Sequence, residues 1–134
     1  MEKDGTGDNG NGIDEMQVDK NQQPAAAARI IAAGVYGSEA RLVQAIEEGC
    51  TILHDYMRQF DPAWRTRGGL AAYNCGVDRA KAGIARGRPN YDPPIPVGSP
   101  DAYTTGRNYG AWILGYTDKW RRMSGSLRAL DTEW

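Results

Sequence analysis

The chain has 134 residues, with 16 basic and 17 acidic side chains and a formal net charge of −1 at pH 7. This length is typical of one domain that can bury a core. The charge balance argues against nucleic acid or an anionic membrane as a partner, because such binding depends on clustered Lys and Arg. No apolar run is long enough to predict a transmembrane span.

Cys50 and Cys75 are the two cysteines. They are too few for a disulfide scaffold and too far apart for a zinc motif, and their spacing leaves open whether they pair or stay free. No metal or other cofactor is expected. The N-terminus is acidic and rich in glycine, so it is not predicted to be a signal peptide. The sequence therefore leaves the compartment open.

Residues 1–24 carry few apolar side chains and many Gly, Asp and Asn residues. This composition predicts turns or a flexible segment and no core element of its own. Asn9-Gly10 and Asn11-Gly12 are typical hairpin turns, and Met16 and Val18 add a weak apolar alternation. A small β-hairpin is predicted here.

Two helices are predicted next. The alanine-rich stretch 25–33 follows Pro24 and should be helical. Ser38 is a suitable N-cap for a second helix over about residues 38–60. Gly49 lies on the apolar stripe of that helix, so close packing is expected there. The stripe has the three- and four-residue spacing of an amphipathic helix and comprises Leu42, Ile46, Ile52, Leu53, Tyr56, Met57 and Phe60.

The stretch Gly68–Gly76 is predicted to be a short helix that is packed on all sides, because its side chains are small. Gly76 can end it with a left-handed residue. Tyr73 and Asn74 then lie at its C-terminal edge. An aromatic hydroxyl beside a carboxamide suits a sugar ligand, which offers an apolar face and paired donors and acceptors. The alternative is an ordinary core tyrosine beside a helix-ending asparagine.

The remaining residues predict a short helix over 78–86, a proline-rich loop over 87–100 and a long aromatic helix. Ser99-Pro100-Asp101 has the cap, proline and acid of a helix start. Core packing is the expected role of the aromatic helix's apolar face. That face comprises Tyr109, Trp112, Ile113, Tyr116, Trp120 and Met123.

Several motifs resemble those of goose-type lysozymes. Gly7–Lys20 resembles the hairpin that the family writes approximately as G-D-x-G-N-x-F-G-L-M-Q-V-D-K, with M-Q-V-D-K intact. Glu48–Leu53 is similar to the family's T-Q-G-T-x-I-L helix start, and Phe60 and Trp64 match its F-P-x-W approach. Gly68–Gly76 resembles the family's K-G-G-I-S-A-Y-N-A-G helix. Residues 21–40 and the proline-rich loop match poorly.

The resemblance implies a mainly α fold, a lysozyme-like helical domain with a small β-hairpin beside the cleft. It also implies hydrolysis of the β-1,4 bond between N-acetylmuramic acid and N-acetylglucosamine in peptidoglycan, outside the cell. By resemblance, the hairpin acids that position the attacking water are Asp8 and Asp19. The residues that would line the saccharide cleft are Met16, Gln17, Val18, Tyr73 and Asn74.

Glycoside hydrolysis needs a protonated carboxyl group in a dry, apolar setting. The family supplies it from a Glu-Ser pair upstream of the hairpin, whereas Glu2 is the sole glutamate before Asp8 here. The general acid is therefore expected to be absent from this sequence. Asp14-Glu15 replaces the family's Gly-Leu, and a buried Glu15 would need a partner. Glu15 is a poor substitute acid because its expected exposure would leave its pKa ordinary.

Two other interpretations are weaker. Asp4, Thr6, Asp8 and Glu15 have part of an EF-hand spacing, but the required glycine is missing. His54 has no partner at a catalytic spacing and is expected to be a surface or boundary side chain.

The sequence thus predicts a flexible N-terminus (1–6), a truncated goose-type lysozyme-like domain (7–123) and a C-terminal tail (124–134). Two functions remain open: a muramidase that is weak or inactive without its acid, and a non-catalytic glycan-binding or structural protein. The expected ligand is peptidoglycan or a chitooligosaccharide. By resemblance, the family's helices upstream of the hairpin are expected to be missing, and a homo-oligomer is one way to replace their part of the core.

Overall fold

A computed structural model of the chain describes residues 5–7 and 10–124, without the side chain of Ser124. Within these residues the chain is mainly α with one small antiparallel sheet, as predicted. The chain divides into two compact units, Met1–His54 and Asp55–Trp134. The predicted domain boundaries stay a prediction, and residues 1–4 and most of the predicted tail lie outside the described residues.

The sheet lies in the first unit and has three strands where a two-stranded hairpin was predicted. Strands β1 (Thr6–Gly7), β2 (Gly12–Ile13) and β3 (Val18–Asp19) pair in that order, all antiparallel. Ile13 pairs with Thr6 on one side and with Val18 on the other. The M-Q-V-D segment therefore forms the turn into the last strand and that strand itself.

Helix α1 (Pro24–Ala32) packs against β3. Its alanines fit this close contact, and Ala26, Ala27 and Ile30 are its buried residues. Positive φ angles at Gly34 and Gly37 follow the helix, which agrees with its predicted end. The predicted Ala-rich helix is confirmed.

Helix α2 (Glu39–Met57) begins next to Ser38, whose Oγ accepts the backbone N–H of Arg41 at 3.4 Å. The predicted helix is confirmed, and the second half of the predicted stripe is buried at Gly49, Ile52, Met57 and Phe60. The first half was wrong: Leu42 and Ile46 are 40% and 44% exposed. The buried positions there are Arg41, Ala45 and Glu48, two of them charged.

The second unit is organised around helix α3 (Arg65–Cys75), which packs against α4 (Val77–Arg86), α5 (Tyr109–Ser124) and the 3-10 helix Pro100–Tyr103. Five consecutive residues of α3, 68–72, are buried, so the helix is covered on all sides as predicted. A side chain at Gly68 would collide with the Phe60 ring. Gly76 ends the helix with a φ of 90°.

Two predictions about the C-terminal part were wrong. Asp101 does not begin the long helix, because two 3-10 segments, Pro100–Tyr103 and Thr105–Arg107, precede α5. The aromatic face of α5 is not core: its large side chains Trp112, Tyr116, Trp120 and Met123 are 50–74% exposed. α5 instead meets α3 at its start, where Gly110 approaches the carbonyl oxygen of Arg67. No helix of the described segments is long and apolar enough to cross a membrane.

Candidate functional site

The turn of the M-Q-V-D segment is held by a buried ion pair that the sequence did not reveal. Asp14 is fully buried at a φ of 55°, a conformation that favours glycine, the residue the family has at this position. Its carboxylate accepts two hydrogen bonds from Arg41, from Nε at 2.7 Å and from Nη2 at 2.8 Å. Arg41 also donates to the carbonyl oxygen of Gly34 at 3.3 Å. This bidentate pair fixes the sheet to helix α2.

Glu15, the neighbouring acid, is exposed. Because Glu15 is exposed, it needs no buried partner in the hairpin. The acid that is buried there is Asp14, which Arg41 pairs. Glu15 forms a hydrogen bond with the phenol of Tyr36. Partial burial, then the charge of Glu15, raises the pKa of Tyr36. The guanidinium of Arg41 lies 5.8 Å from the centre of the Tyr36 ring.

Gln17 points its side chain back into its own sheet. The residue has a φ of 48°, and its Nε2 donates to the carbonyl oxygen of Asp14 at 2.5 Å. Its carboxamide oxygen lies so close to Gly7 and Gly12 that any side chain at those positions would collide with it. The carboxamide therefore fixes the local backbone.

Met16 and Val18 flank Gln17 and differ in burial. Val18 is 1% exposed, whereas Met16 is half-buried. Met16 packs on helix α2 at Gly49, where an added Cβ would lie 2.7 Å from the Met16 side chain. The close packing predicted at Gly49 is confirmed, and its partner is a proposed saccharide residue.

Asp19, the described one of the two predicted water-positioning acids, is exposed at the end of β3. Its Oδ1 accepts the backbone N–H groups of Asn21 at 2.7 Å and Gln22 at 3.2 Å. This is the bonding pattern of an Asx turn, which leads the chain into α1. Oδ2 accepts no hydrogen bond from the described residues. Asp8, the other predicted acid, lies outside the described residues.

The first unit contains a second ion pair that secures α1 on α2. Arg29 and Glu48 form two hydrogen bonds, from Nε at 2.5 Å and from Nη2 at 2.9 Å, and Gln44 donates to the same carboxylate at 2.9 Å. The hydrogen bond from Arg29 lowers the pKa of Glu48 against the opposing effect of burial. Both charged residues on the buried face of α2 are thus paired.

Tyr73 and Asn74 lie in the last turn of α3, as predicted. Tyr73 is half-buried and contacts Tyr56 edge-to-face, with ring centres 6.4 Å apart. Asn74 is exposed, and its Oδ1 accepts the backbone N–H of Thr105 at 2.7 Å. The Asn74 amide NH₂ donates to no other group of the described residues. A half-buried tyrosine beside an asparagine at the helix end agrees with the alternative interpretation, and the saccharide-binding role of the pair stays a prediction.

Asp101 is a buried carboxylate that joins α3 to the start of α5. It accepts the backbone N–H groups of Gly110 at 2.7 Å and Ala111 at 3.2 Å, and Arg67 lies 3.4 Å away. Thr104 Oγ1 donates to it at 3.3 Å. The predicted helix-start acid thus does cap a helix, but one that begins eight residues later.

His54 is exposed, as expected. Cys50 and Cys75 are not bonded to each other, and burial raises the pKa of the Cys75 thiol to about 11. Within residues 5–7 and 10–124, no group of three or more His, Cys, Asp or Glu side chains is arranged to hold a metal. Two members of the EF-hand spacing, Asp4 and Asp8, are not among those residues.

Comparison with known proteins finds a lysozyme among the proteins that this chain resembles. The chain is 36% identical over 78 residues to lysozyme g of Casuarius casuarius. The matched stretch is 55% of this chain and 38% of the relative, so the chain spans well under half the length of that lysozyme. No protein-family model and no solved structure match the chain. The similarity is weak, and it supports a goose-type lysozyme-like relationship.

Proposed function

We propose that this chain is a goose-type lysozyme-like protein that binds the β-1,4-linked aminosugar backbone of peptidoglycan and hydrolyses it weakly or not at all. The observation that carries the proposal is the similarity to lysozyme g, together with a fixed M-Q-V-D backbone and an exposed Asn74 amide. The similarity to lysozyme g favours glycan recognition. The carboxylates identified in the sequence do not include a suitable general acid, which argues against efficient hydrolysis.

The proposed saccharide contacts of the first unit are backbone groups. Because the Gln17 carboxamide is bonded to Asp14 and packed against two glycines, its side chain is committed to the turn. The backbone of Met16, Gln17 and Val18 is thereby held in one conformation. The N–H of Gln17 already donates to the carbonyl oxygen of Asp14 at 2.9 Å. The proposed sugar contacts are therefore other backbone groups of this segment, whose fixed conformation lowers the entropic cost of binding.

The proposed contacts of the second unit are side chains. Tyr73 offers part of its ring, which Tyr56 supports from the side. The oxygen of the Asn74 carboxamide is occupied by Thr105, so its two amide hydrogens remain to donate to sugar oxygens. An aromatic surface beside a directed donor is a common means of binding one sugar ring.

The proposal that hydrolysis is weak or absent is based on the positions and bonding of the carboxylates Asp19 and Glu15. An efficient glycosidase needs a carboxyl group with a raised pKa and a second carboxylate. Asp19 has one oxygen bonded to the backbone and one that can hold a water, which suits the second role. Glu15, the nearest candidate acid in the sequence, is exposed and bonded to Tyr36.

The test combines binding with lysis. Chitohexaose is titrated into the 134-residue chain and followed by NMR or calorimetry, and the chain is added to a suspension of bacterial cell walls. We expect saturable binding that Tyr73→Ala and Asn74→Ala each weaken about tenfold. Tyr116→Ala, an exposed tyrosine on α5, is the matched control and should bind normally.

Two outcomes would contradict parts of the proposal. Absence of chitohexaose binding would refute glycan recognition and leave the structural role. Rapid clearing of cell walls that Asp19→Asn abolishes would refute the weak-hydrolysis part and establish an active muramidase.

A further inference from the structure

A small cavity in the second unit is lined by residues of the proline-rich loop, the segment that resembles goose-type lysozymes poorly. Its volume is about 230 Å³, and its lining consists of Arg88, Pro89, Asn90, Tyr91 and Tyr103. This volume is below that of typical drug-sized pockets and fits a single small group. The lining contains one charge, and it is positive.

Arg88 is held between aromatic rings. Its guanidinium carbon lies 4.4 Å from the centre of the Tyr91 ring and 5.0 Å from that of Tyr103. A guanidinium held near aromatic rings by cation–π contacts keeps N–H groups that can still donate hydrogen bonds. These contacts restrict the two-pronged donor before any ligand arrives.

A second cation flanks the cavity. The guanidinium of Arg107 lies 3.6 Å from the centre of the same Tyr91 ring. Four ion pairs are found in the described part of the chain, and neither Arg88 nor Arg107 takes part in one. Two guanidinium groups on one ring, without a carboxylate partner, produce a local excess of positive charge in a chain of net charge −1.

The backbone around the cavity is well fixed. Arg88 and Ile95 exchange two backbone hydrogen bonds, of 2.8 and 3.1 Å. The hydroxyl of Tyr103 donates to the carbonyl oxygen of Gly87 at 3.5 Å. Gly87 has a φ of 59° and has no room for a side chain against Ile95 and Pro96. The loop therefore presents Arg88 from a rigid support, which lowers the entropic cost of binding.

We propose that this cavity binds a carboxylate group, with Arg88 as the bidentate donor and Arg107 as a supporting charge. A planar fork pairs best with the two coplanar oxygens of a carboxylate. The volume of the cavity, about 230 Å³, is large enough for the end of a short peptide. The identity of the ligand rests on the glycan proposal above: the carboxylate is then the free end of a peptide attached to the glycan.

The test uses N-acetyl-D-alanyl-D-alanine, its C-terminal amide and inorganic phosphate as separate probes of the full chain, followed by NMR of the tyrosine rings and arginine Nε groups. We expect the acid to bind and the uncharged amide not to bind. Arg88→Gln should weaken binding about tenfold or more, and Arg88→Lys, which keeps the charge but not the fork, should weaken it less. Thermal melts show whether each variant is folded.

Arg86→Gln is the matched control. Arg86 lies two residues before Arg88 and carries the same charge, but its side chain does not line the cavity. Equal binding of acid and amide, or equal losses in Arg86→Gln and Arg88→Gln, would overturn the proposal and leave the stacked arginines a purely structural role. Tighter binding of phosphate that depends on Arg88 would overturn the carboxylate assignment in favour of a phosphate-bearing ligand.

The two proposals fail separately. Chitohexaose binding without binding of the acid would refute the anion cavity alone. Binding of the acid without chitohexaose binding would refute glycan recognition and support the cavity as an independent site.

Discussion

Asp14→Asn is the most informative single substitution in the first unit. Asparagine is nearly the same size as aspartate and tolerates a positive φ, so the turn at Asp14 keeps its backbone conformation. The substitution removes the negative charge that faces the guanidinium of Arg41, whose side chain is 10% exposed.

The expected loss of stability follows from this burial. Breaking a buried ion pair by removing one partner costs about 3–5 kcal/mol, because the remaining charge stays out of water and has lost its opposite charge. A domain of this size is stabilised by about 5–15 kcal/mol in total. Asp14→Asn should therefore remove a large fraction of the free energy of unfolding.

The assay is urea unfolding of the 134-residue chain, followed by far-UV circular dichroism. Glu15→Gln, the adjacent exposed acid, is the matched control and should change the free energy of unfolding by about 0.5 kcal/mol or less. The double variant Asp14→Asn/Arg41→Met should recover part of the loss, because no charge is then left buried.

A loss in Asp14→Asn no larger than that in Glu15→Gln would refute this reasoning. A double variant that is less stable than Asp14→Asn alone would refute it too. If Asp14→Asn does not fold and the double variant does, the buried charge is again identified as the cause.

Three further predictions concern packing, thiol reactivity and pH. Gly49→Ala should lower the free energy of unfolding by about 1–2 kcal/mol, since the clash with Met16 outweighs the gain in helix propensity of about 1 kcal/mol; an unchanged urea midpoint would contradict it. Cys75, with a pKa of about 11, should react with iodoacetamide at pH 8 about a hundredfold more slowly than an ordinary cysteine; peptide mapping by mass spectrometry measures this, and ordinary reactivity would contradict it. The lowered pKa of Glu48 contributes stability that is fully present above about pH 4.3 and is lost as the pH falls through the folded-state value. Arg29→Gln should therefore flatten the acid side of the stability curve, and an unchanged curve would contradict the assignment.

Local sequence signals were sufficient to predict α1, α3 and α4, but not the start of α5. Proline, small residues and glycines set the ends of α1 and α3, and their effects act within a few residues. The buried face in the first half of α2 was misassigned because Arg41 and Glu48 are polar by type. Their burial depends on partners 27 and 19 residues away in sequence, which periodicity does not detect.

For the candidate site too, the sequence predicted the local segments but not the contacts between residues that are distant in the chain. Family motifs identified the M-Q-V-D turn and the Tyr73–Asn74 pair, but they assigned no partner to any of these side chains. The arginine cavity was not foreseen at all, because Arg88, Tyr91 and Tyr103 are brought together by the path of a proline-rich loop. Hydrophobic and helical periodicity carry no information about such a loop.

The hydrogen bond from the Thr105 backbone to Asn74 makes the two proposed ligand contacts of the second unit interdependent. Thr105 begins the short segment that ends at Arg107, so a sugar that immobilises the carboxamide also restrains the flanking cation of the cavity. Effects of substitutions at Asn74 and at Arg107 should then not add, and affinity for a glycan that carries its peptide should exceed the value expected from its separate parts.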